Sequence, residues 1–195
     1  MNSEKFKIGW IGLGKMGNPM SKQILKAGFP LRVYNRSHDK IKALETEGAT
    51  SATSVKELVE KTDIIFIMVA NDDAVKDVFY QENGIFSAQV ADKIFINTST
   101  ISPELSISLS KELKKKNSHY LDAPVSGSVK QAEDTTLVSI VGGEQVIFEK
   151  VKPVLEAYSK KSILVGKNGV GNSAKLAVNT YLGILAQGLA EIIQF

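Results

Sequence analysis

No cysteine occurs in the 195 residues of the chain. Disulfides, thiolate catalysis and cysteine-based metal sites are thereby excluded, and the composition fits a reducing compartment; cytoplasm is the expected location. Charge of one sign is also scarce. The formal net charge is +3, and the one lysine cluster, Lys114-Lys115-Lys116, ends a predicted helix, where it complements the helix dipole. Nothing here speaks for a nucleic-acid partner. Long uncharged apolar runs are missing until the C-terminus, and the polar start Met1 to Lys5 does not read as a signal peptide, so no membrane partner is expected. With 43% hydrophobic and 23% charged residues, the chain is globular: one domain, or one plus a piece of another.

What the chain does have is a strand, a glycine turn and a helix in immediate succession. The β-favouring run Phe6 to Ile11 leads into Gly12-Leu13-Gly14-Lys15-Met16-Gly17 and then into a helical pattern through Met20, Ile24 and Leu25. In that context GxGxxG is a dinucleotide fingerprint: the first glycine turns the chain, the second admits the pyrophosphate, the third lets the helix sit close. The helix start would attract the phosphates. The alternative is a set of turn and packing glycines.

Leu31 to Tyr34 reads as the second strand and ends in Asn35-Arg36-Ser37. An acid at this place would bind the ribose 2′-hydroxyl. Asn35 stands there instead, with an arginine fork and a small hydroxyl beside it, a set suited to a phosphomonoester. NADP(H) is favoured and NAD remains possible; the alternative is a solvent-facing turn. Asp39 to Glu47 forms a short helix. Ser54 and Glu57 form a capping-box pattern for another, reaching Lys61. Ile64 to Val69 is an apolar run of the kind buried on both sheet faces. Asn71-Asp72-Asp73 starts a helix to Tyr80. Lys93 to Asn97 is a strand, Ser102-Pro103 starts a helix reaching Lys116, and His119 to Asp122 is a strand. This alternation implies an α/β fold with a doubly wound, mostly parallel sheet.

The loop Asp122-Ala123-Pro124-Val125-Ser126-Gly127-Ser128 follows, at a strand end where such sheets bind ligands. Ser126, Gly127 and Ser128 offer hydroxyls and backbone N–H groups to a carboxylate, or they are simply turn residues. Leu137 to Val141 is a strand, Glu144 to Tyr158 a helix interrupted or kinked at Pro153, and Ser162 to Val165 a strand. Gly166 to Gly171 then opens the longest helical pattern, from about Asn172 to Phe195. Its apolar residues lie almost all round, which predicts burial between layers. Lys175, Asn179, Gln187 and Glu191 interrupt it too often for a membrane span. It stops at Phe195 without C-cap glycine, basic last turn or proline, and reads as cut, with further chain expected beyond it.

Lys175 and Asn179 share a face of this helix. A desolvated lysine can act as general acid or base, with Asn179 holding the same substrate oxygen. The alternative is a snorkelling lysine beside a polar neighbour.

Taken together these segments resemble the β-hydroxyacid dehydrogenase family, which includes 3-hydroxyisobutyrate dehydrogenase, tartronate semialdehyde reductase and glyoxylate/succinic semialdehyde reductase. The matching motifs are Gly12 to Met20, Thr98-Ser99-Thr100-Ile101-Ser102-Pro103, Asp122 to Ser128, and Gly169-Val170-Gly171 with Lys175 and Asn179. The resemblance implies a Rossmann cofactor domain over 1–168 and a long inter-domain helix over 169–195. It implies Lys175 as catalytic acid/base and Asn179, Ser126, Gly127 and Ser128 as substrate contacts. Met68, Val69 and Thr100 join the cofactor set of Gly12, Leu13, Gly14, Lys15, Met16, Gly17, Asn35, Arg36 and Ser37, and no metal is needed. The implied activity is NADP-dependent interconversion of a small hydroxy acid and its semialdehyde or oxo acid, in a homo-oligomer. Ser128, Gln131 and Thr135 stand where the family often has glycine, and Ser128 followed by Ala132-Glu133-Asp134 resembles the glyoxylate/succinic semialdehyde reductase branch most. The family's all-helical C-terminal domain is not in this chain. The competing readings are a non-catalytic dinucleotide-binding remnant and an oligomerising fragment.

Overall fold

The structure is a computed structural model that describes residues 6–195; the polar start Met1–Lys5 lies outside the described residues. The first half alternates as expected: β1 (Ile8–Ile11), α1 (Gly17–Lys26), β2 (Leu31–Tyr34), α2 (Asp39–Glu45), β3 (Thr50–Ser51), α3 (Val55–Glu60), β4 (Ile64–Ile67), α4 (Asp72–Tyr80), β5 (Ile94–Asn97), α5 (Pro103–Lys115) and β6 (His119–Asp122). The second half adds β7 (Val125–Ser126), α6 (Val129–Glu133), β8 (Leu137–Gly142), α7 (Gln145–Leu155), β9 (Ser159–Gly166) and α8 (Val170–Ile193).

Strands β3-β2-β1-β4-β5-β6 lie in that order and pair parallel. This is a Rossmann half-and-half arrangement, and β1 is its switch point, with β2 on one side and β4 on the other. Beyond β6 the sheet changes sense. β8 pairs antiparallel to β6 at Asp122 and Gly142, and β7 pairs antiparallel to β8. β9 runs parallel to β8.

The central strands read as continuous apolar runs because both faces are covered. Ile8, Trp10, Ile64, Phe66, Ile94 and Ile96 enter one core; Ile11, Ile65, Ile67 and Phe95 enter the other. Alternation of side chains along a strand divides them this way. In the first core Trp10 stacks on Phe66 at 5.2 Å between ring centroids, and Tyr158 meets both edge-on. The Trp10 indole N–H donates to the Gly12 carbonyl at 3.0 Å, so the core props the glycine turn directly.

Four helices are capped by their own sequence. Ser54 accepts from the Glu57 N–H, Asn71 from Ala74, and Ser102 from Leu105; Ser128 and Gln131 form a capping box at α6. Pro153 sits inside α7 without ending it, since the helix continues to Leu155. The short β3, β7 and α6 had no periodicity long enough to be expected. The larger correction is α8. It was expected to be buried between layers, yet its buried residues are Gly171, Asn172 and Lys175 alone. Leu182, Leu185 and Leu189 are 50–59% exposed. The apolar pattern marks a packing face, but among the described residues no element covers it. By length and composition α8 is also apolar enough to cross a membrane, with a mean hydropathy of 1.4. The core helix of a soluble protein can have the same length and composition.

Candidate functional site

At the C-terminal end of β1 the chain must turn sharply beneath its neighbour. Gly12 has φ +96°, and a Cβ there would lie 2.2 Å from the Met68 carbonyl oxygen at the end of β4. Gly17 rests on the Gly12 carbonyl just as closely. Around Gly14 no atom lies within 4 Å of where a Cβ would stand. No side chain caps α1. The start of this helix is therefore open, and its positive end faces solvent space beside Gly14. Leu13 contributes its side chain to the core, while its N–H donates to Asn35 Oδ1 at 2.9 Å. Asn35 Nδ2 in turn donates to the Ser37 carbonyl at 3.0 Å. Asn35 thus ties the glycine turn to the end of β2. Lys15 is exposed and Met16 half-buried against the core.

A groove of about 350 Å³ opens over these strand ends. Gly12 and Gly14 form one part of its lining, Met68, Val69 and Ala70 another, and Asp77 and Val78 of α4 with Gln81 just after it a third. Arg36, Ser37 and Lys40 line the end next to β2, all exposed. Lys40 comes from the first turn of α2, and no sequence motif marks it for this place. Thr100 is half-buried in the loop after β5. The neighbouring Ser99 hydroxyl accepts the Val69 N–H at 2.9 Å, which ties that loop to the groove wall.

Next to the groove lies a second corner, at the end of β6. Ser126 is half-buried on β7; Gly127 is exposed with φ +137°. Ser128 donates both its N–H and its hydroxyl to Gln131 Oε1, so that hydroxyl serves the start of α6. Gly171, one turn before Lys175, packs against the Ile140 carbonyl and Asp122. The Ile140 N–H donates to the Pro124 carbonyl at 2.9 Å, two residues before Ser126. The first turns of α8 and the Asp122–Ser128 segment therefore meet. Lys175 is 9% exposed, and burial pulls its ammonium below the ordinary lysine pKa. Asn179, one turn further, is exposed.

An open glycine, an uncapped helix start and a groove with cations at one end and apolar residues at the other fit a dinucleotide. The chain matches the family model described as the NAD binding domain of 6-phosphogluconate dehydrogenase over residues 7–166. The chain belongs to this family. As an NAD-binding domain it is 40% identical over 184 residues to the mitochondrial 3-hydroxyisobutyrate dehydrogenase of Drosophila melanogaster, covering 94% of this chain and 56% of that protein. It is 36% identical over 191 residues to the 2-hydroxy-3-oxopropionate reductase of Escherichia coli, covering 97% of this chain and 64% of that protein. A solved 3-hydroxyisobutyrate dehydrogenase of Mycobacterium tuberculosis with L-serine superposes with a TM-score of 0.89 at 30% identity, over 96% of this chain and 63% of that one. The resemblance to β-hydroxyacid dehydrogenases holds, and the chain spans 56–64% of the length of these proteins.

Within the NAD-binding domain the structure brings Gly12, Gly14, Asn35, Arg36, Ser37, Met68 and Val69 to one groove. Leu13 and Gly17 are buried and do not line it. Two buried residues, Asp122 and Asn172, hold the helix that carries Lys175 and were not singled out in the sequence. Among the described residues no group of three or more His, Asp or Glu side chains is placed to hold a metal.

Proposed function

We propose that this chain is the cofactor domain of an NADP-dependent oxidoreductase that interconverts a small 3-hydroxy acid and its semialdehyde or oxo acid. The observation that carries the reading is the burial of Lys175, 9% exposed, on a helix start that packs against the strand-end segment at Asp122. Burial lowers the pKa of a lysine in that setting, which favours its exchanging a proton with a substrate oxygen. When bound, the nicotinamide supplies or accepts the hydride. Lys175 Nζ donates a proton to the substrate carbonyl oxygen on reduction and accepts it from the hydroxyl on oxidation. Asn179 holds the same oxygen. Ser126 and the Gly127 N–H bind the substrate carboxylate, and their position at a strand end supports this role.

Arg36, Ser37 and Lys40 support a 2′-phosphate at the β2 end of the groove: a rigid guanidinium, a hydroxyl and a second cation, with no acid among them. The deciding experiment is fluorescence titration of this chain with NADPH and NADH, with Arg36→Ala alongside. The expected result is a preference for NADPH of roughly 10–100-fold, from about 1.5–3 kcal/mol of charge-assisted contacts, that Arg36→Ala erases. Binding of neither dinucleotide would sink the reading. An oligomerising fragment is the second reading, favoured by the exposed leucines of α8. Light scattering that returns a monomer over a wide concentration range counts against it.

A further inference from the structure

Asp122 is fully buried at the end of β6. One carboxylate oxygen accepts the Gly169 N–H at 2.8 Å; the other accepts the Asn172 N–H at 2.9 Å. These are backbone donors of the first turn of α8, which no side chain of its own caps. A strand carboxylate therefore caps the helix from outside it. The contact is tight: a Cβ on Gly171 would stand 2.7–2.8 Å from the Ile140 carbonyl, the Asp122 carbonyl and the Asp122 carboxylate. Asn172 is fully buried too. Its Oδ1 accepts the Ile101 N–H and its Nδ2 donates to Ser106 Oγ, both at 3.0 Å.

The same loop reaches the groove, because Ser99 accepts from Val69. Ser102 donates through its N–H and hydroxyl to the Asp72 carboxylate at the start of α4. Gly171, Asn172 and Lys175 are the buried residues of a 24-residue helix that is otherwise uncovered. Residues at these spacings share one face. The Asp122 and Asn172 attachments tie this buried face to β6, the Thr98–Ser102 loop and α5, and so bear on the angle and register of α8.

We infer that Asp122 and Asn172 are positioning residues that set where Lys175 stands relative to the Thr98–Ser102 loop and the Val69 wall of the groove. The inference rests on the reading of Lys175 as the acid/base. Burial works against the Asp122 charge and raises its pKa despite the two N–H donors. A carboxylate kept in so unfavourable a place is there for the helix start it holds.

The test is the titration of Lys175 itself, measured on this chain by reductive ¹³C-methylation and NMR, with Lys175→Arg assigning the signal. Asp122→Asn and Asn172→Ala are compared with the parent chain at a temperature where circular dichroism shows all to be folded. Loosening of the helix start admits water to Lys175, so its midpoint is expected to rise by about half a pH unit or more. NADPH affinity stays within about threefold, as neither residue lines the groove. Ser106→Ala removes one partner of Asn172 and answers the same question if the harsher variants do not fold; a smaller rise is expected. An unchanged Lys175 midpoint in folded variants overturns the inference, whatever happens to thermal stability. An ordinary lysine midpoint in the parent chain is a different result: it removes the acid/base reading instead.

Discussion

Two helices in this molecule begin in glycine-rich turns, and the two starts are used in opposite ways. α1 follows Gly12-Leu13-Gly14-Lys15-Met16-Gly17; α8 follows Gly166-Lys167-Asn168-Gly169-Val170-Gly171. Both lack a cap of their own. At α8 a buried carboxylate from β6 fills the anion position, and the glycine there serves close packing. At α1 the space beside Gly14 is open and leads into the groove. Glycines at a helix start therefore mark a close approach; whether a ligand or the protein makes that approach depends on what the fold places opposite.

The comparison can be broken at either end. The largest effect is expected at α8. In Gly171→Val a branched side chain would have to enter space already filled by two carbonyls and the Asp122 carboxylate. Overpacking against backbone cannot relax by rotamer changes, so a loss of about 3 kcal/mol or more is expected, read as a lower denaturant midpoint. A variant as stable as the parent would show that the start of α8 is not held where Asp122 places it.

At α1 the same kind of change has the opposite consequence. Gly14→Asp puts a carboxylate into open space at an uncapped helix start. The fold should gain up to about 1 kcal/mol from the dipole. NADPH binding should fall by roughly 100-fold, about 2.7 kcal/mol, if the pyrophosphate takes the open space at Gly14, because the new charge would stand there and repel it. Retained affinity would mean that the pyrophosphate lies elsewhere. The variant in effect converts the start of α1 into that of α8.

How much of this was legible beforehand follows from what kind of pattern carries each feature. Five of the six parallel strands are legible, most plainly where burial on both faces writes an uninterrupted apolar run such as Ile64 to Ile67, and the capped helices are legible because Ser54 and Ser102 act on residues three positions away. β3 and β7 are two residues each, too short for any period. The reversed sense of β8 left no trace, since an apolar run has no direction. The role of Asp122 lies across 47 residues from its nearer partner, and no local pattern encodes a cap supplied at that distance. The apolar surround of α8 signals packing without naming what packs there, and within this chain most of that surface is exposed. At the groove, Arg36 is legible from its strand end, whereas Asp77 of α4 and Gln81 just after it belong to no motif.

A third helix start sharpens the comparison through pH. At α3 the Glu57 carboxylate accepts from the Thr53 hydroxyl and N–H and pairs with Lys61. The Thr53 hydroxyl and Lys61 are the main reasons its pKa falls from 4.5 to about 2. Since the folded value lies below the unfolded one, the stabilisation is complete above about pH 4.5 and is lost as pH falls towards 2. Solvent screening leaves about 1 kcal/mol of it. Glu57→Gln should flatten the decline in stability over that window, measured by urea unfolding at a series of pH values. A parallel decline in both proteins would move the acid sensitivity to other groups.

The smallest effect is expected where a helix ends. α6 is capped at its start by Ser128 and Gln131, but the chain leaves it at Thr135 with φ +58°, a conformation that a β-branched residue rarely adopts. This is a position where the resembled family often carries glycine. The turn is kept by the Thr136 N–H donating to the Gln131 carbonyl at 2.8 Å, and the Thr135 hydroxyl donates only to the adjacent Asp134 carbonyl. Left-handed backbone costs an L-residue roughly 1–2 kcal/mol, and glycine returns about 0.5–1 of that as unfolded-state entropy. Thr135→Gly should therefore stabilise the chain by about 0.5–1 kcal/mol, seen as a higher urea midpoint at unchanged slope. A loss of stability would mean that the threonine side chain contributes more to the Asp122–Ser128 corner than its one local hydrogen bond, and that the departure from glycine belongs to the site and not to the turn.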